Sequence, residues 1–196
     1  THMGREYILF FALNGVAMLI ALSCLWLSHY ALGLDSPIAD NISANVIGLG
    51  DTTNGTAVQT LKLGAGTNVL NANTITLGAA PTGGNRSSGV LVFNGGTGSV
   101  KVRSLTDAVN GRANLNMAFN GGTTGSSITA NFDVTGHAAD LRFDVMQLAQ
   151  RVSNSVGLAT ATFAFDTGTL DANDLLLGHK TATAANSTAT MTLGGT

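Results

Sequence analysis

Residues 168–178 read GTLDANDLLLG, and residues 66–78 read GTNVLNANTITLG. Omitting Asn68 and Val69 aligns the two: Gly-Thr, then Leu, Asn or Asp, Ala, Asn, and an apolar run closing on Gly. A line written twice in one chain is an internal repeat. Self-similarity with a period of roughly 20 to 50 residues signals stacked structural units.

The Gly-Thr pair also recurs at Gly96-Thr97, Gly122-Thr123 and Gly195-Thr196, giving intervals of 30, 26, 46 and 27 residues. A weaker counterpart, Gly136-His137, divides the long interval. Short alternating runs precede these marks: Leu61-Lys62-Leu63, Leu91-Val92-Phe93, Met117-Ala118-Phe119, Phe163-Ala164-Phe165 and Met191-Thr192-Leu193. Second runs follow at Val69 to Leu77, Val100 to Leu105 and Leu170 to Leu177. Alternation at period two marks a strand with one buried face. VMQLAQRV (145–152) reads as a helical turn by itself and as a strand by its place in the repeat, and the strand is preferred. Asn-Gly pairs at Asn54, Asn94, Asn110 and Asn120 separate strands, because both residues tolerate positive φ. One coil of such strands cannot bury its apolar face, whereas coils stacked on one another form a continuous core. The pattern predicts a parallel β-solenoid, with an antiparallel sandwich of Asn-Gly hairpins as the runner-up.

Composition agrees. Charged residues are 10% of the 196, against roughly 25% in an ordinary domain, with 25 Gly and 2 Pro. Thr, Asn and Ser replace Lys and Glu, so stacked equivalent positions can hydrogen-bond where like charges would repel. The formal net charge of -2 gives no electrostatic case for nucleic acid. A single cysteine, Cys24, excludes an internal disulfide and reads as a buried, inert thiol.

The N-terminal part is written differently. Thr1-His2-Met3 is consistent with a cloning remnant. No Asp, Glu, Lys or Arg occurs from Tyr7 to Leu34, a stretch longer than the roughly 20 apolar residues a membrane helix needs. Arg5 before it and Asp35 after it orient the exit toward the outside. Ser36 and Pro37 suit a helix start, and Ile38, Ile42, Val46 and Leu49 fall near helical spacing. A second helix ending near Gly50 is therefore expected. The predicted fold is mainly β: a right-handed parallel β-solenoid over 51–196, preceded by one or two hydrophobic, transmembrane α-helices within 4–50.

Two resemblances accompany this reading. Arg5, Phe10-Phe11, Asn14-Gly15, and then Pro37, Ala39, Asn41, Ile42 and Ser43, resemble the N-terminal half of the GtrA-like membrane proteins. That family is associated with moving lipid-linked sugars for polysaccharide assembly. The basic-aromatic stretch and helices three and four that should follow are missing, so the resemblance does not carry transport activity. From about Gly55 to Thr196 the chain resembles the autotransporter-associated β-strand repeats. LKLGAGTNVLNANTITLG, FDVTGHAADLRFDVMQLAQR and FAFDTGTLDANDLLLGHKTATAANSTATMTLGGT carry that likeness. It implies long extracytoplasmic β-helical stalks of bacterial surface proteins, with no catalytic residues. The closing TLGGT expects a following strand, as in a fragment of a longer array.

Chemistry-bearing residues are few. His2, His29, His137 and His179 show no metal-ligand spacing, and the last two follow Gly at turns. Asp133, Asp140, Asp144, Asp166, Asp171 and Asp174 cluster in one region. Paired carboxylates on neighbouring rungs can build a glycosidase site, and a turn flanked by Asp166 and Asp171 can bind calcium. Asp at turns more commonly caps backbone amides. No phosphate-binding or nucleophile motif occurs. No catalytic, cofactor-binding or metal residue is assigned, and no cofactor is expected. The functional expectation is a non-enzymatic extracytoplasmic stalk or adhesin-like segment, membrane-anchored through residues 7–34. Surface glycans or proteins would bind its faces, and its uncapped ends would associate end to end. Alternatives are a membrane component of lipid-linked sugar translocation and a carbohydrate-active β-helix enzyme.

Overall fold

Eleven strands of 6 to 15 residues form among the described residues. The structure is a computed structural model that describes residues 40–51, 57–80, 88–121, 127–152, 157–181 and 186–194. All of these belong to one compact unit, Ile38–Thr196. The longer sheet contains β1 (Asp40–Asp51), β3 (Gly66–Ala80), β5 (Gly98–Arg103), β6 (Ala113–Asn120), β8 (Ala138–Leu148) and β10 (Thr167–Leu177). The other contains β2 (Val58–Leu63), β4 (Ser88–Phe93), β7 (Ile128–Asp133), β9 (Ala159–Phe165) and β11 (Ser187–Leu193). Every named strand pair is parallel. The chain alternates between the sheets and returns one strand higher each time, so five rungs stack as a parallel β-solenoid. The antiparallel sandwich is thereby excluded.

Register turns the sequence repeat into columns of like side chains. Ile42, Leu70, Val102, Leu141 and Leu170 stand in one column. Ile47, Ile75, Leu115, Met146 and Leu175 form a second, and Leu49, Leu77, Met117, Leu148 and Leu177 a third. The shorter sheet answers with Leu61, Leu91, Phe132, Phe163 and Met191. Leu70, Ile75, Leu77, Leu91, Phe132, Leu141 and Phe163 are fully buried. Within the aromatic segment, the Phe132 and Phe163 rings stack with centroids 4.9 Å apart. The two copies of the repeated line thus occupy the same columns: Leu70 and Leu170, Ile75 and Leu175, Leu77 and Leu177.

Just past the third column the backbone turns a corner in the same way on all five rungs. Gly50, Gly78, Ala118, Ala149 and Gly178 have φ of 65, 66, 53, 59 and 63°. A left-handed residue costs a side chain about 1–2 kcal/mol, so Gly fills three of the five positions. On the second rung the sheets approach closely across Gly89. A Cβ there would lie 2.4 Å from the Leu49 carbonyl oxygen and 2.7 Å from the Leu77 Cα. That part of the core has room only for backbone.

The third rung is interrupted. Residues 104–112 leave the longer sheet between β5 and β6, and both strands pair with β3 below and β8 above. The 46-residue Gly-Thr interval from Gly122 to Gly168 holds β7, β8 and β9, while the insertion falls in the 26-residue interval before it and adds no rung. It also displaces the expected grouping of Met117-Ala118-Phe119. That run lies in the longer sheet at the left-handed corner, where Met117 and Ala118 are both buried. The shorter sheet's segment on this rung is β7, which stacks Phe132 on Leu91.

The helix expected around Ile42, Val46 and Leu49 is a strand. β1 matches β3 from Asp40↔Asn68 to Asp51↔Ala79, past the boundary expected at Gly50. Its inward residues are Ile42, Ala44, Ile47 and Leu49, with one extra residue between Ala44 and Ile47. That offset imitates helical spacing. Val46, which the helical pattern counts as apolar face, is 48% exposed. Among the described residues no helix is long and apolar enough to cross a membrane. The hydrophobic stretch Tyr7–Leu34 lies outside them. VMQLAQRV follows the strand reading through Leu148.

Candidate functional site: the charged tier on the longer sheet

Two arginines, Arg103 and Arg112, stand at the two ends of the insertion. Arg103 closes β5 with its side chain 3% exposed. Burying a guanidinium requires that its donors be met. Its Nε donates to the Val109 carbonyl oxygen at 2.9 Å. Nη1 donates to the carbonyl oxygens of Val102 at 2.7 Å and Asp140 at 3.0 Å. Nη2 pairs with Asp140 Oδ2 at 2.5 Å. One side chain therefore ties the insertion to the rung above it.

Arg112, at the other end of the insertion, reaches further. Its Nη1 donates to the carbonyl oxygens of Phe143 on β8 and Asp171 on β10, both at 3.0 Å. Nη2 meets Asp171 Oδ2 at 2.5 Å. This hydrogen bond to Arg112 holds the Asp171 carboxyl below its ordinary value, against a smaller opposing effect of desolvation. Arg142 adds a bond from Nη1 to Asn110 Oδ1 at 3.2 Å. Within the insertion, Asp107 Oδ1 accepts from the amides of Val109 and Asn110. Those amides, Asn110 foremost, lower the Asp107 carboxyl.

The other acidic residues do similar work. Asp133 Oδ1 accepts from the Thr135 amide and hydroxyl at 3.1 and 2.8 Å. Both Asp166 oxygens receive the Gly136 amide of the rung below, at 2.8 and 2.9 Å. Asp144 Oδ1 accepts from Asn173 Nδ2 at 2.7 Å, across one rung. Asp174 is exposed. Of the six clustered aspartates, five are thus acceptors for turns or neighbouring rungs. Among the described residues no three His, Cys, Asp or Glu side chains are grouped to hold a metal ion.

The two described histidines, both at turns, are half-buried and have partners. His137 lies flat on Phe93, with Nδ1 2.8 Å from the Thr135 carbonyl oxygen and Nε2 2.7 Å from that of Gly96. His179 Nδ1 lies 3.1 Å from Gln147 Nε2, which donates to it. His2 and His29 lie outside the described residues. Sequence reasoning missed Arg103, Arg112 and Arg151. Arg151 is fully buried, and burial lowers its guanidinium from the ordinary value. The available signal was positional: Arg103 and Arg112 flank a polar insertion between strands.

A cavity of about 300 Å3 opens at the first rung, lined by Ile42, Leu61, Leu63 and Leu70 with Asn41, Lys62, Gly64 and Asn68. Its apolar walls belong to the first two rungs, Ile42, Leu61 and Leu63 on the first and Leu70 on the second. Asn68 is buried and donates from Nδ2 to the carbonyl oxygens of Gly64 and Ser99.

The parallel β-repeat fold therefore rests on the structure, while the resemblances to autotransporter-associated repeats and GtrA-like proteins gain no support from comparison: no family model, curated protein or solved structure matches the chain.

Proposed function

We propose that the chain is a non-enzymatic structural segment, a stalk or adhesin-like β-solenoid held at a membrane by residues 7–34 with its repeats outside the cytoplasm. The observation that supports this most directly is the use made of its charges. Arg103 and Arg112 bind carboxylates and carbonyls of higher rungs, and Asp166 binds an amide of a lower one. The most reactive side-chain types are spent on holding rungs together. Where the sheets face outward, Thr and Asn supply a polar surface of low charge suited to contact with glycans or other proteins.

Fractionation of cells making the full chain tests this reading. The expected result is recovery with membranes after alkaline carbonate, with the repeats digested by protease added to intact cells. Deletion of residues 7–34 should release the chain. A full chain that is soluble, or protected from external protease, overturns the proposal.

A further inference from the structure

We infer that Asn94 is a modification site: of the Asn-Gly pairs at Asn94, Asn110 and Asn120, it is the one the fold leaves open to deamidation without an enzyme. The reaction needs only the pair and water. The Gly amide nitrogen gives up its proton and attacks the Asn side-chain carbon Cγ. The new N–Cγ bond closes a succinimide ring as the Cγ–Nδ2 bond breaks, and Nδ2 leaves as ammonia with the proton. Water then opens the ring at either carbonyl, giving aspartate or isoaspartate, and nothing is oxidised or reduced. Gly favours the step because it sets no side chain in the path of the attacking nitrogen. The inference is independent of where the chain resides or what anchors it.

Two of the pairs are guarded. The Gly111 amide donates to the Asp107 carbonyl oxygen at 3.0 Å. Asn110 is held as well: its amide donates to Asp107 Oδ1 at 2.9 Å, and its Oδ1 accepts from Arg142 Nη1 at 3.2 Å. The Gly121 amide donates to the Ala80 carbonyl oxygen at 2.9 Å, and Asn120 is fully buried, away from the water that opens the ring. Gly95 differs. Among the described residues neither its amide nor the Asn94 side chain makes a hydrogen bond. Asn94, Gly95, Gly96 and Thr97 are all exposed, and even a Cβ built on Gly95 would have no atom within 4 Å. The reacting turn adjoins the His137 contact: Phe93 lies against that ring, and the Gly96 carbonyl oxygen is 2.7 Å from its Nε2. Isoaspartate at 94 would lengthen the main chain by one methylene between those two anchors, so the modification would loosen this corner.

The test incubates the purified full chain in mildly alkaline buffer at body temperature and samples it over several days. Cleavage after Lys and Arg puts the three pairs on separate peptides, 87–101, 104–112 and 113–142. Mass spectrometry follows the exchange of NH2 for OH in each, and an isoaspartyl methyltransferase label counts isoaspartate. Because a guarded pair must first give up a hydrogen bond, peptide 87–101 should convert about tenfold faster than the other two, or more. In strong denaturant the three should converge on similar rates. Gly95→Ala should suppress conversion at Asn94, and slow conversion of the other two peptides in that variant shows that it is folded. Equal rates in the folded chain overturn the inference, as does faster conversion at Asn110 or Asn120. A lead for Asn94 that persists unchanged in denaturant overturns it too, since the local sequence and not the fold would then set the order. The parent chain alone, folded against denatured, decides the matter even if the Gly95 variant does not fold.

Discussion

His137 stacks on Phe93 with ring centroids 3.6 Å apart and planes 5° from parallel, joining the turn after β7 to the end of β4. Both of its ring nitrogens face carbonyl oxygens, those of Thr135 and Gly96. A carbonyl only accepts, so a ring nitrogen bonds the carbonyl it faces where it carries the hydrogen. The residue fastens two corners, and its removal should show as lost stability.

His137→Ala should lower the unfolding free energy by about 1–3 kcal/mol, from one stacked pair and partly exposed hydrogen bonding. His137→Phe keeps the stack and loses the bonds, so it should recover about half of that. Urea unfolding of the three chains side by side checks the split. Equal loss in both variants would assign the effect to the bonds alone.

The corner column predicts an asymmetry. Gly78→Ala places a methyl 2.8 Å from the Thr129 carbonyl oxygen at a φ of +66°. It should destabilise by about 2–4 kcal/mol, combining left-handed strain with overpacking. At Ala149, two positions further along the column, the methyl is already fully buried. Ala149→Gly there loses about 0.8 kcal/mol of burial and regains a similar amount of strain, so its melting temperature should barely move. Thermal denaturation of both variants distinguishes them.

Arg103→Ala removes four hydrogen bonds, among them those that tie Val109 of the insertion to the rung above through Asp140. The rungs on either side remain paired by β3 and β8, so the loss should be local. Limited proteolysis should cut within residues 104–111 at least ten times faster than in the parent chain, while the circular dichroism spectrum is unchanged.

Acid should act through Asp171. Its folded-state value is depressed below the ordinary 3.8, chiefly by the hydrogen bond from Arg112. A depressed carboxylate contributes stability above the unfolded value, and that contribution disappears as pH falls through the folded value. Stability should therefore drop on acidification from about pH 4 downward, and Asp171→Asn should flatten that limb while leaving less stability at neutral pH. Denaturant midpoints measured from pH 2 to 7 provide the check.

The stacked architecture was legible because alternation and Gly marks recur in the sequence. The repeated line placed Leu70 with Leu170 and Leu77 with Leu177, and the columns agree. Three things were hidden by competing physics. The extra residue between Ala44 and Ile47 gave β1 a helical period. The polar insertion after Arg103 lengthened one repeat without changing its rung. The charged tier was obscure because its pairs, Arg103 with Asp140 and Arg112 with Asp171, are 37 and 59 residues apart in sequence. Only the stacking brings them within reach.

The five left-handed corners have a consequence for how such a chain changes length over generations. Leu49 lies 28 residues before its partner Leu77, and Leu148 lies 29 before Leu177. Duplicating or deleting one such unit returns the corner to its own column. A change of any other length inside a strand would carry an ordinary side chain into the left-handed turn. Inheritance can therefore alter this molecule freely in whole coils or in bulges such as residues 104–112, and is checked elsewhere by the corner.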